Sequence, residues 1–244
     1  MIERKLIETG LLTVDLEGMA QMSQDDKVAF ALARRNGFGA SDSSIILGVN
    51  PYQDLKTLIE TKRSTTVTDE ELAIGDKVNV RKGSELEPLI LCKFAKQFGV
   101  EVFKPQPMYR LEAYPWLTIN FDGITVLDKD LVPVEAKFVS TYADKYWKKQ
   151  LSIDNIGAGT PKLVGGKDVA DHITQAADLY GIPPYYYTQV QHQMLGTGTD
   201  FAYLTALFDR DWNLYTYKIY KDRFVQDTLI DMSDEAWHKV KEDA

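Results

Sequence analysis

Apolar residues recur at helical spacing early in the chain, at alternating spacing through its middle, and at helical spacing again towards its end. Residues 1–27 are polar and weakly patterned, whereas 28–35 read as a helix closed by Asn36-Gly37, with Gly37 as its C-cap. Ser41 reads as the N-cap of a short apolar helix that Gly48 ends; Asn50-Pro51-Tyr52 is a turn, and a further helix covers 54–62. The polar stretch 63–71 reads as a mobile loop. The clearest helix spans 81–99. There Leu86, Leu89, Ile90, Phe94 and Phe98 keep i, i+3, i+4 spacing, Gly99 is the stop, and Pro88 either kinks the helix or marks the start of its regular part.

Strand-like runs follow at 100–103, 108–111, 117–121, 124–127 and 132–138, which predict a meander-rich sheet. Asp128-Lys129-Asp130 is a polar hairpin turn, so the strands on either side of it should be antiparallel neighbours. Residues 142–151 look helical, the glycine-rich 155–166 reads as a long surface loop, and helical patterns return at 167–180 and 184–195. Two strands, 201–208 and 214–220, then precede a charged terminal helix. The pattern predicts an α/β fold in one domain, 1–244, with a core at about 28–221 and the terminal helix at 222–244.

Composition restricts function more than fold. A hydrophobic content of 44% and a charged content of 26% are those of a globular protein, and no segment is apolar for the roughly 20 residues that a membrane span needs. The first residues mix charges of both signs and lack the apolar core of a secretory signal, so the expectation is a soluble, cytoplasmic protein with no membrane partner. Cys92 is the one cysteine, which excludes an internal disulfide or an all-cysteine metal site within a single chain; its helical context reads as that of a buried structural thiol. A net charge of -8 weighs against broad nucleic-acid-binding surface, yet it permits a local basic channel around clustered carboxylates.

The candidate chemistry lies in the middle strands. Alternation places Glu135 and Lys137 on one face and turns Ala136 away, and the predicted hairpin brings Asp122 alongside them. Two carboxylates and an ammonium suit phosphodiester hydrolysis, because hard divalent cations take oxygen ligands and polarise a phosphate. Glu87 supplies a third carboxylate if its helix packs across the sheet, with Gly83 one turn earlier allowing close backbone approach. Taken alone, a Glu-x-Lys triplet arises by chance about once in a chain of this length. Its setting beside apolar Val132-Pro133-Val134 argues for partial burial. His192, with only His172 and His238 elsewhere, has no zinc-ligand spacing and reads as a packing or surface residue. Tyr185-Tyr186-Tyr187 could stack on bases, but at the start of a helix it reads as packing.

Gly83-Ser84-Glu85-Leu86-Glu87-Pro88, Asp122-Gly123, Glu135-Ala136-Lys137 and Gln189-Val190-Gln191-His192-Gln193-Met194, in that order, resemble the motifs of the lambda-type exonuclease and YqaJ-type viral recombinase family. Upstream, Arg34-Arg35-Asn36-Gly37-Phe38-Gly39-Ala40-Ser41-Asp42 with Gly48-Val49-Asn50-Pro51-Tyr52 is similar to that family's amino-terminal signature. The resemblance implies a restriction-endonuclease-like, PD-(D/E)xK core, a central mixed β-sheet flanked by helices. It implies Mg²⁺, with Mn²⁺ as substitute, on Asp122, Glu135 and the Ala136 backbone carbonyl, with Glu87 as the helix carboxylate. Lys137 matches the catalytic lysine, and Gln191, or else Gln189, the glutamine near water and phosphate. Arg34 and Ser41 match a 5′-phosphate pocket, with Arg35 as the alternative if the helix phase differs; a helix start offers free N–H groups for the same anion. The implied activity is 5′-to-3′ digestion of one strand of linear duplex DNA by a homo-oligomer, commonly a ring trimer, with the remaining strand passing to a single-strand annealing protein.

The first acid follows Phe121 where the family often has proline, the gap from Asp122 to Glu135 is somewhat long, and the stretch 155–166 matches nothing in the family. An endonuclease or structure-selective nuclease on the same core is the nearest rival, since the metal site does not encode end dependence. A catalytically silent DNA-binding or assembly subunit is another. A two-carboxylate carbohydrate or small-molecule hydrolase would leave Lys137 and the glutamines without a purpose.

Overall fold

The computed structural model describes residues 2–13, 24–73, 77–105, 108–149 and 168–242. Along the chain these form α1 (Ile2–Glu8), β1 (Leu11–Thr13), α2 (Gln24–Ala33), α3 (Ser43–Ile46), α4 (Leu55–Arg63), α5 (Asp69–Ala73), α6 (Val78–Phe98), β2 (Val102–Phe103), β3 (Tyr109–Leu111), β4 (Thr118–Ile119), β5 (Gly123–Leu127) and β6 (Asp130–Val139). Then come α7 (Val169–Tyr180), α8 (Pro184–Thr197), β7 (Phe201–Phe208), β8 (Leu214–Tyr220) and α9 (Arg223–Lys241). Single 3-10 turns occupy Arg34–Asn36, Ala40–Asp42 and Asp144–Tyr146.

A mixed five-stranded sheet of order β2-β5-β6-β7-β8 forms the centre, with β6 and β7 parallel and the other neighbours antiparallel. The predicted hairpin is present. Asp128 and Lys129 both have positive φ, as a two-residue turn between twisted strands requires, and Leu127 pairs with Asp130 while Gly123 pairs with Val134. Alternation along β6 then divides its side chains between two cores. Val132, Val134 and Ala136 pack with Ile90, Leu91 and Phe94 of α6. Leu131 and Val139 join the opposite core, built with α7, α8 and α9, so Glu135 and Lys137 share that second face. Each fully buried side chain of this size contributes about 1.5–3 kcal/mol, which fixes the register of β6 between the two helical layers.

The long helix α6 begins earlier than its apolar pattern, at Val78, continues through Pro88 without the bond that residue would have given to Ser84, and ends at Gly99 in the left-handed conformation. Gly123 is required for space: a Cβ there would meet Val102 Cγ1 at 2.6 Å and Leu91 Cδ2 at 3.1 Å. Asp122-Gly123 is therefore the point where β5 enters the sheet beneath α6 and not merely a turn.

Several expectations are corrected. The middle strands do not form one meander, because β3 and β4 leave the main sheet for a second one of order β1-β3-β4. The amino-terminal segment contributes to it: Leu6 and Leu11 are fully buried, and β1 pairs with β3 across about one hundred residues of chain. The stretch 63–71 is built into the fold by the end of α4, by α5 and by Arg35. Residues 142–149 give only a 3-10 turn in place of a helix, and the glycine-rich 155–166 lies outside the described residues. Ser41 sits within a 3-10 turn capped by Gly39 and is not a helix N-cap. Gly37 does cap the C-terminal end, closing the Arg34–Asn36 turn as expected; it is extended and lies against the Trp116 carbonyl, which a Cβ would approach to 2.9 Å. Cys92 and Leu89 are exposed, and Gly83 has nothing near its missing side chain, so it serves no close approach.

Candidate active site

Strand pairing places Asp122 just before β5, where its Oδ2 accepts a hydrogen bond of 2.9 Å from the Ala136 backbone N–H. Glu135, one residue earlier on β6, is completely buried. Its Oε1 accepts from Lys137 Nζ and from Gln189 Nε2, and its Oε2 accepts from Gln193 Nε2 at 2.5 Å. Gln193 also donates to the Asn120 carbonyl. Lys137 lies with Nζ 5.3 Å from the centre of the Tyr186 ring, a cation–π contact that holds the ammonium between α8 and the strand. Burial and the negative charge of Asp122 push the Glu135 carboxyl up to about 7, against the opposing pull of Lys137 and Gln193. Desolvation works against the Lys137 ammonium, but Glu135 and Asp122 outweigh it and raise its pKa. The centre thus sets two acids against one lysine.

The remaining predicted residues divide. Gln191 points away from the carboxylates: it donates to the Tyr220 carbonyl and accepts from the Asp222 N–H, and its own carbonyl accepts from Gln226, so it ties α8 to the end of β8 and the start of α9. Gln189 takes the place at Glu135, joined by Gln193, which the sequence reading did not single out. The available signal was spacing, since residues four apart on a helix share a face and residues two apart do not. Glu87 does not join the carboxylates either. Helix α6 covers the face of β6 on which Ala136 stands, and Glu87 Oε1 accepts from Lys104 Nζ at 2.6 Å. Among the described residues no group of three or more His, Cys, Asp or Glu side chains is placed to hold a metal ion. Asp122 and Glu135 remain as the pair of oxygen donors that could.

At the amino-terminal motif, exposed Arg34 donates to Ser41 Oγ at 3.1 Å, so these two converge as the motif implies. Arg35 does not. Its guanidinium is buried on the Ser64 and Thr66 carbonyls and on both oxygens of Glu71, which leaves no donor fork for a phosphate. Beneath Arg34 lies a buried ion pair that sequence did not reveal. Lys62 Nζ is 2.7 Å from Asp42 Oδ2 and also donates to the Arg34 carbonyl, while Asp42 accepts from the Gly39 N–H. Burial works against ionisation of Asp42, but Lys62 and Arg34, with the hydrogen bonds from Lys62 and Gly39, hold its pKa below the usual carboxylate value. Burial lowers Lys62 from its usual value despite Asp42, with Arg34 and Arg35 adding repulsion. His192 is a packing residue: burial pushes its pKa down to about 4, and Nδ1 bonds Ser43 Oγ at 2.7 Å. A neutral, enclosed imidazole of this kind is no general base for an external substrate.

The mixed sheet with its flanking helices is the fold of an alkaline exonuclease from Laribacter hongkongensis, LHK-Exo: the crystal structure overlays with a TM-score of 0.57 at 16% identity, covering 87% of this chain and 93% of that one. A second crystal structure of that exonuclease, in complex with dAMP, gives 0.54 at 15% identity, over 86% of this chain and 93% of that one. Residues 29–200 match the YqaJ-like viral recombinase domain, and the chain belongs to that family. A relative, the uncharacterized protein YqaJ of Bacillus subtilis (strain 168), is 28% identical over 134 residues, which is 55% of this chain and 40% of that protein. The match thus takes in about two-fifths of that relative's length. No helix among the described residues is long and apolar enough to cross a membrane.

Proposed function

We propose that this chain is a metal-dependent deoxyribonuclease that digests linear duplex DNA from its 5′ ends and leaves single strands for recombination by annealing. The observation that carries this reading is the buried Glu135 carboxylate, set beside Asp122 and Lys137 and gripped from α8 by Gln189 and Gln193. Burial of a carboxylate next to a second one is costly unless a cation compensates it. Lys137 does so in part, and the donor set fits a hard divalent ion, which takes one or two carboxylates and completes its shell with water and phosphate oxygens. Mg²⁺, or Mn²⁺ in its place, would be held by Asp122, Glu135 and the Ala136 carbonyl, and supplies Lewis-acid polarisation of the scissile phosphate.

The chain's own groups have separable roles. Gln189 and Gln193 fix both oxygens of Glu135, so the carboxylate keeps one orientation as charge shifts around it. Lys137 stays protonated, and its ammonium lies where it orients an attacking water and stabilises the charge that develops on the phosphate. Arg34 and Ser41 offer a cation and a hydroxyl for a terminal phosphate. A ring-shaped homotrimer, a single-strand annealing partner and a cytoplasmic setting accompany this reading and rest on the family resemblance.

End dependence tests it. On duplexes with 5′-phosphate, 5′-hydroxyl or covalently closed ends, the phosphorylated end should be digested fastest and closed DNA not at all. Arg34→Ala should slow the phosphorylated substrate by roughly 10-fold to 100-fold, the scale of one charged hydrogen bond, and erase the preference. Efficient cutting of closed DNA would instead assign the centre to an endonuclease.

A further inference from the structure

We propose that the cavity beside the active site, between the start of α8, α7 and the Asn50-Pro51-Tyr52 turn, is a stacking pocket for one unpaired nucleobase of the DNA strand. The strand's identity rests on the nuclease reading above; the pocket rests on geometry. The cavity holds about 440 Å³ and is walled by Tyr52, Tyr146 and Tyr185 with Pro51, Pro183 and Pro184. Val49, Thr174, Asp178 and Ile182 complete the lining; the rings and pyrrolidines are surfaces that take a flat aromatic guest face-on, and every base presents such a face whatever its sequence. Other charges nearby are compatible with a polynucleotide. Asp178, on the rim, is paired with Lys148 Nζ at 2.5 Å, and Lys145 stands over the rings of Tyr142 and Tyr146 at 4.4 and 4.9 Å, a cation placed for a strand phosphate.

The pocket connects to the chemistry through touching rings. Tyr52 and Tyr185 have centroids 6.0 Å apart, Tyr185 and Tyr186 are 4.5 Å apart in an edge-to-face arrangement, and Tyr186 carries Lys137 above its face. The three tyrosines that open α8 therefore have distinct work. Tyr187 is fully buried and donates to Asp222, a packing role, whereas Tyr185 and Tyr186 are partly exposed. Tyr52 is 79% exposed, yet its backbone is held: Asn50 Oδ1 accepts from the N–H groups of both Tyr52 and Gln53. A large exposed ring on a fixed turn contributes little to a core and is suited to a guest. Bases within a duplex are already stacked, so the pocket accepts a base only from a frayed end or a single strand.

Binding in EDTA tests this without turnover. Fluorescence anisotropy would follow a short labelled oligothymidylate and the same strand with abasic sites, on wild type, Tyr52→Ala, Tyr52→Phe and Tyr185→Leu, with thermal melting to verify folding. The expected result is binding of the base-bearing strand weakened about 5-fold to 100-fold by Tyr52→Ala and by Tyr185→Leu, retained by Tyr52→Phe, with the abasic strand bound alike by all. Equal binding of the base-bearing strand by Tyr52→Ala and wild type, or equal losses for both strands, would overturn the pocket even if the wild type digests DNA with Mg²⁺. Base-dependent binding by a protein that digests nothing would uphold the pocket and reject the nuclease reading.

Discussion

Replacing Lys137 by alanine should reduce DNA digestion by on the order of 100-fold to 1,000-fold while leaving the protein folded. Among the described residues the ammonium is the one cation bonded to Glu135, and the other groups bonded to that carboxylate are the neutral amides of Gln189 and Gln193. The fold should survive because the Glu135 carboxyl, already pushed up to about 7 by burial and by Asp122, becomes protonated once its counter-charge is gone, and Gln189 and Gln193 continue to hold it. Lys137→Arg should not restore full rate, since a planar guanidinium does not reproduce the compact point charge that the ammonium sets between Glu135 Oε1 and the Tyr186 ring. Single-turnover digestion alongside thermal melting separates the two effects. A variant that melts like the wild type and digests at the wild-type rate would remove Lys137 from the chemistry.

Asp42→Asn should cost about 3–5 kcal/mol of folding stability, because it leaves Lys62 buried without its anion. It should also disturb the end-binding motif, for Lys62 grips the Arg34 carbonyl and Asp42 the Gly39 N–H, and together they set Arg34 against Ser41. The pH dependence has a definite sign. With its folded pKa held below the ordinary value, Asp42 contributes stability that is fully present above about pH 4 and is lost as pH falls through the lower folded value. Urea unfolding of both proteins from neutral to acid pH should show the gap between them narrowing below about pH 4. A gap that is small at neutral pH would contradict the role assigned to the pair.

Sequence carried the central geometry because the physics there is local. Alternation on β6 and the short turn at Asp128-Lys129 were enough to bring Asp122 beside Glu135 and Lys137, and the strands at 201–208 and 214–220 were bounded correctly for the same reason. The glutamines were not legible in this way. Helix α8 is buried from Tyr187 through Met194 except for Gln189 itself and is apolar on no single side, so its pattern does not show which of three glutamines faces β6. Glu87 failed on a question of layers. Its helix was read correctly, but only the partition of β6 side chains shows that α6 covers the Ala136 face. Strand β1 and the pairing of Asp42 with Lys62 depend on contacts between distant parts of the chain, where local periodicity has no reach.

Mononucleotide release from a linear, 5′-phosphorylated duplex by the wild-type protein, with Mg²⁺ and with EDTA, tests most directly whether Asp122, Glu135 and Lys137 form a metal-dependent nuclease centre. Release with Mg²⁺ that EDTA abolishes is the predicted result. Folded protein that releases nothing with either Mg²⁺ or Mn²⁺, or that digests equally well in EDTA, would contradict it.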